Sequence, residues 1–135
     1  MIDAVRIPAP AAYAQTLAYS RLVSVENDAW ISGCAPIDDD GALKGSGSPY
    51  LQSKACIANI ETALEAAGFA LGDVVRLRIY IRDFAHIEDI ARAQRESFNP
   101  IRPACSVVAV AALATPGMLV YMDADARRAP QRAAT

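Results

Sequence analysis

Residues 99–126 constrain the fold more than any other stretch of this chain. Asn99-Pro100-Ile101-Arg102-Pro103-Ala104-Cys105-Ser106 leads into an apolar run at residues 107–113, the form expected of a strand buried on both faces. Ala114-Thr115-Pro116-Gly117 predicts a turn, because proline presets one turn residue and glycine relieves the next. Beyond it the chain alternates, with Met118, Val120, Met122, Ala124 and Ala126 on one side and Leu119, Tyr121, Asp123 and Asp125 on the other. The pattern predicts a hairpin that ends the fold. Pro103 has no N–H for a central ladder, so pairing is expected to start after it and to leave Ala104 and Cys105 at the mouth of the strand.

A second stretch, residues 74–83, alternates as cleanly: Val75, Leu77, Ile79 and Ile81 against Arg76, Arg78, Tyr80 and Arg82. If it neighbours the last strand, the arginines meet Asp123 and Asp125 across the ladder. Such a face is either solvated or a subunit interface. Hydrophobic residues are 53% of the chain and charged ones 21%, an apolar excess that favours the interface and a homo-oligomer.

The remaining segments read in order. Residues 1–8 form a short edge strand before Pro8-Ala9-Pro10, and residues 20–25 and 29–34 form a hairpin about Asn27-Asp28. Residues 36–48 are a loop. Asp38-Asp39-Asp40 lacks the ligand spacing of a calcium loop, and Gly45-Ser46-Gly47-Ser48 lacks the Lys-Ser/Thr of a phosphate loop. Ser48-Pro49 caps a helix carrying Cys56, Ile60, Ala63, Leu64 and Ala67 on one stripe and stopping at Gly68. Asp83 caps a second helix through about Phe98, with Ile87, Ile90, Ala91, Gln94 and Phe98 turned inward. Two helices on one face of a mixed or mostly antiparallel sheet make an α+β sandwich.

The 135 residues suffice for a single domain, expected over residues 1–126, with 127–135 a flexible C-terminal tail. A net charge of −2 supplies no basic footprint for nucleic acid. No apolar run approaches a membrane span, and the start has no signal pattern, so a soluble, cytoplasmic protein with no membrane partner is expected. Cys34, Cys56 and Cys105 form no C-x-x-C pair and read as reduced thiols, and His86 is the only histidine. No metal and no cofactor is expected.

Several short motifs, in order, resemble the Rid family of reactive-intermediate deaminases, also called YjgF-type. Ala18-Tyr19-Ser20-Arg21-Leu22-Val23 is similar to its Pro-Tyr-Ser-x-Ala-Val, and Ile31-Ser32-Gly33-Cys34-Ala35-Pro36 to its Ser-Gly-Gln-x-Pro. Asn59-Ile60, Ala66-Ala67-Gly68 and Gly72-Asp73-Val74-Val75 are similar to its helix and following turn. The resemblance implies a chorismate-mutase-like sandwich assembled as a homotrimer. It also implies hydrolysis of a small enamine or imine in a cleft between subunits, releasing ammonia and leaving a 2-oxo acid. The family's carboxylate-binding arginine, in Pro-Ala-Arg-Ser, is replaced by Cys105; its strand glutamate falls on Tyr121, and its helix asparagine on Ala91.

The catalytic candidates implied are therefore Cys105 and Tyr121, and the substrate-binding ones Tyr19, Ser32, Cys34, Arg102, Ala104 and Ser106. Arg102 reaches the cleft only if its loop folds back, and Cys105 reads either as a nucleophile or as small apolar lining. Tyr121, a poor general base, suits a binding role. Three functions compete: a diverged deaminase or hydrolase acting on a small C=N or carbonyl compound, a non-catalytic trimer that binds a small ligand or a partner, and a tailoring enzyme using Cys105. Ribonuclease activity, sometimes attached to the family, finds neither basic groove nor acid/base pair here.

Overall fold

The computed structural model describes residues 1–130. In chain order the elements are β1 (Val5–Pro8), α1 (Ala11–Leu17), β2 (Ser20–Val25), β3 (Asp28–Cys34), α2 (Pro49–Ala66), β4 (Val74–Ile81), α3 (Ile87–Phe98), β5 (Ala104–Ala109) and β6 (Val120–Arg127). The strands form one mixed sheet in the order β1-β2-β3-β6-β4-β5, in which β4 and β5 run parallel and the other neighbours antiparallel. Helices α2 and α3 cover one face. Cys56, Ile60 and Leu64 of α2 and Ile90 and Phe98 of α3 meet Leu22, Ile31, Leu77, Ile79 and Met122 from the sheet. This is the α+β sandwich expected. Each large aliphatic side chain so buried contributes about 1.5–3 kcal/mol, and truncating Ile60 to alanine costs about 2–5 kcal/mol.

Local chemistry explains the helix ends. The Ser48 hydroxyl accepts the Leu51 N–H at 3.1 Å, Pro49 occupies the first turn, and Gly68 takes the left-handed φ of 81° beyond the last turn. Asp83 accepts from the Ala85 N–H at 2.9 Å and caps a single 3-10 turn, Phe84–His86, which runs into α3. No helix among the described residues is long and apolar enough to cross a membrane.

The terminal hairpin does not form. Between β5 and β6 lies β4, which pairs antiparallel with β6 and parallel with β5. Parallel neighbours need a crossover, and α3 supplies it. The turn at residues 114–117 reverses the chain but carries it past β4 to a slot beside β3. There Val120, Met122, Ala124 and Ala126 are all buried. The apolar run also misleads about β5, which ends at Ala109, lies at the sheet edge and is mostly exposed, with Val107 packing against the core.

Three further differences are local. Helix α1 has no counterpart in the sequence reading; the Pro10 carbonyl accepts the N–H groups of Tyr13 and Ala14, and Ala18, at φ 52°, ends the helix. A bulge between Val74 and Arg76 buries Val74 and turns Val75 out, 51% exposed, away from the apolar face of Leu77, Ile79 and Ile81. Ordered structure also passes Ala126. Arg127 belongs to β6, and Arg128 donates to the Gly68 carbonyl at 2.9 Å and stacks over Phe69. Of the expected tail, residues 131–135 lie outside the described residues.

Candidate functional site

The sheet face away from α2 and α3 carries the polar members of the alternating strands. Arg78 of β4 bonds Asp123 at 2.8 Å and Asp125 at 3.3 Å on β6, and the Tyr80 hydroxyl donates to Asp123 at 2.8 Å. Of the arginines that the alternation set opposite the aspartates, Arg78 makes the pairs, while Arg76 stands opposite Asp125 in register without an ion pair. Tyr121 follows on the same face, its ring 5.8 Å from that of Tyr80.

Beside Tyr121 opens a cavity of about 490 Å³, within the range of small-molecule sites. Tyr13 and Leu17 of α1 form one wall, Ile37, Leu113 and Met118 another, and Tyr19, Arg21, Ser32, Gly33 and Tyr121 supply the polar surface. The register of β3 against β6 shifts between Ile31 and Cys34, which sets Ser32 and Gly33 in an irregular stretch at the cavity. The Ser32 hydroxyl donates to the Arg21 carbonyl at 3.0 Å, leaving its lone pairs for a ligand. The Tyr121 hydroxyl has no hydrogen-bond partner among the described residues. Burial, and secondarily Tyr19, raises its pKa above the usual phenol value, so it is a neutral donor around pH 7.

Arg21 was not singled out by the sequence. It is nine-tenths buried, with Nη1 donating to the Gly33 carbonyl at 2.6 Å and lying 3.0 Å from the Cys34 sulfur. The available signal was a lone arginine inside an otherwise uncharged strand. Cys34 sits behind the cavity, fully buried, and is not part of its wall. Burial pushes its thiol up to about 11 despite the opposing pull of Arg21, so it stays protonated.

A family model described as Endoribonuclease L-PSP matches residues 9–128. The chain belongs to this family, the Rid or YjgF family. Among curated relatives, Protein HMF1 of Saccharomyces cerevisiae is 37% identical over 105 residues, 78% of each chain. A Dermatophagoides farinae protein named 2-iminobutanoate/2-iminopropanoate deaminase is 30% identical over 95 residues, 70% of this chain and 74% of that one. A solved Mycobacterium tuberculosis member of the YjgF/YER057c/UK114 family superposes with a TM-score of 0.83 at 31% identity, covering 93% of this chain and all of the other.

Within this Rid-family chain six of the eight candidate residues fall into two groups. Tyr19, Ser32 and Tyr121 come together at the cavity. Ala104, Cys105 and Ser106 stand apart on the exposed edge strand β5. The parallel register pairs Cys105 with Leu77 and Ser106 with Arg78, which turns Cys105 toward the helix side and Ala104 and Ser106 toward the face of Tyr121. Desolvation raises the Cys105 thiol above its ordinary value, the opposite of activation. Arg102 is held by Asn99, donating to its backbone carbonyl at 2.9 Å and its side-chain oxygen at 2.8 Å, and lines a separate hollow beside Phe98.

Proposed function

We propose that this chain is a Rid-type hydrolase that converts a reactive enamine or imine to the corresponding carbonyl compound and ammonia. The observation that carries the reading is the convergence of Tyr19, Ser32 and Tyr121, with free polar atoms, on one largely apolar cavity. An enamine first takes a proton at carbon and becomes the imine. Water then adds across the C=N bond, and the carbinolamine expels ammonia as the C=O bond forms, so that imine and water are converted, one for one, to carbonyl compound and ammonia. A protonated imine is electrophilic enough to be attacked by neutral water, so orientation and exclusion of bulk solvent are the main demands on the protein. Tyr121, a phenol at neutral pH, donates to the oxygen of the attacking water and Ser32 accepts from one of its O–H groups, so that together they orient it toward the imine carbon. The deaminase name of the mite relative, 30% identical, supports this chemistry.

The assembly belongs to the same proposal. Trp30, Val75 and Val108 are exposed, at 49%, 51% and 46%, on or beside the outer face of the sheet. A homotrimer that covers this face brings the β5 edge of a neighbouring copy, with Ala104, Cys105 and Ser106, to the mouth of the cavity. Ala104 and Ser106, which share the face of Tyr121, then line the cleft, and Cys105 stands at its rim as a thiol. The three cysteines are unpaired, which supports a reducing compartment such as the cytoplasm.

One observation favours a second reading, a trimer that binds a small ligand without transforming it. Among the described residues no carboxylate lines the cavity, and Tyr121 stands where the resemblance places the family's glutamate. The test is ammonia and 2-oxo acid release from enamines generated in situ by an amino-acid oxidase, with the natural protein and Cys105→Arg side by side. Turnover by the natural protein supports the enzyme. Activity found only in the variant supports the binding role.

A further inference from the structure

Arg21 carries an electrostatic feature that the proposed chemistry leaves unused. As a residue Arg21 is nine-tenths buried, yet no carboxylate among the described residues lies within ion-pair distance of its guanidinium. Asp38 and Asp39 border an adjoining hollow that Arg21 also touches, but neither reaches it; Asp38 instead accepts the backbone N–H groups of Asp40 and Ala42 at 2.9 and 3.0 Å. Asp123 is engaged by Arg78 and Tyr80. Cys34, the nearest acidic group, is held as a thiol and brings no charge. A planar guanidinium with unbonded N–H groups at a cavity wall is the side chain best shaped to take a carboxylate through two N–H groups.

Only Nη1 of Arg21 is committed, to Gly33 and Cys34, while Nε and Nη2 make no hydrogen bond among the described residues. The same side chain helps to wall the cavity, whose other surfaces are Tyr13, Leu17, Ile37, Leu113 and Met118. From this juxtaposition we propose that Arg21 is the carboxylate anchor of the cavity, and that the ligand class is a carboxylate bearing a bulky apolar or aromatic body. The guanidinium fork takes the carboxylate, the tyrosines and aliphatic side chains take the body, and the Tyr121 hydroxyl, on the same lining, is left for the atom next to the carboxylate. The inference rests on the hydrolase reading only for the identity of that atom; the anchor itself is a property of binding.

The test is direct binding by titration calorimetry to the natural protein, Arg21→Met and Arg21→Lys, with phenylacetate as the anionic probe and 2-phenylacetamide as its neutral counterpart. Expected is at least a tenfold preference of the natural protein for phenylacetate, abolished in Arg21→Met and partly kept in Arg21→Lys, with acetate binding more weakly than phenylacetate. Equal affinity of the natural protein for the two phenyl probes overturns the proposal without recourse to any variant, as does a preference that survives in a folded Arg21→Met. Charge-dependent binding through Arg21 with no turnover of any imine leaves the anchor standing and defeats the hydrolase reading. Imine turnover with KM unchanged in Arg21→Met does the reverse.

Discussion

Tyr121 lays the phenol end of its ring directly against the Cα of Gly33, so closely that a Cβ on Gly33 would overlap the hydroxyl. Glycine is required there for space. The same residue offers its carbonyl to Arg21, so the two polar groups that frame the cavity from β2 and β6 are both referenced to one short piece of β3.

Gly33→Ala should therefore push Tyr121 out of position. The overlapping atoms end a side chain that can swing, so the expected loss of stability is ~1–3 kcal/mol, read by urea unfolding. Ligand binding should suffer more than stability. In a Tyr121→Ala background the same substitution should cost little, and a double-mutant cycle measures that coupling. Equal costs in the two backgrounds would show that the contact is not the reason for the glycine.

Tyr121→Phe removes the hydroxyl and keeps the ring that packs on Gly33. The expected result is a fall in kcat of about tenfold, one hydrogen bond's worth of transition-state stabilisation, with unfolding nearly unchanged. Because the phenol's pKa is raised, the rate should stay flat through neutral pH and decline only above the usual tyrosine range. The phenylalanine variant should lack that alkaline decline, as a pH–rate profile would show.

Cys34 links stability to alkaline pH. Its folded-state pKa is raised to about 11, so the unfolded chain loses this proton at lower pH than the folded one. The contribution is fully present below the unfolded value near 9 and is lost as pH rises through 11. Buried Cys56 acts in the same direction. Urea midpoints measured from pH 8 to 11 should fall, and less steeply in Cys34→Ala, which itself should cost about 1–2 kcal/mol at pH 7. A midpoint flat across that range would contradict the buried thiol.

The outer sheet face distinguishes assembly from solvation. In an isolated chain the half-exposed Arg78 pairs contribute roughly 0–1 kcal/mol, so Arg78→Ala should barely alter unfolding. If that face joins copies of the chain, Trp30→Asp and Arg78→Glu should shift the mass seen by light scattering to a smaller species and reduce activity with it. A mass unchanged in both variants would place the interface elsewhere.

Much of the site was legible because the features that mark it are local. The Arg–Asp ladder followed from two alternating strands, and Tyr19 and Ser32 from short motifs around the β2–β3 hairpin. Arg21 escaped because nothing near it in sequence says that it is buried without a partner; that depends on which carboxylates the fold brings close. Cys105 drew attention through the resemblance, but its side-chain direction is set by the parallel register with Leu77, and alternation within β5 leaves the face undetermined.

The sequence by itself determined the periods, the helix start at Ser48-Pro49, the capping role of Asp83, the two-layer class and the family, since each depends on neighbours within a few residues or on motifs in order. The strand order, with β6 between β3 and β4, and the meeting of Arg21, Gly33 and Tyr121 at one cavity were decided only in three dimensions. A turn motif reverses a chain without specifying its next neighbour. That choice is made by burying the whole apolar face of β6 while both of its edges find ladders, a condition set by the entire sheet at once.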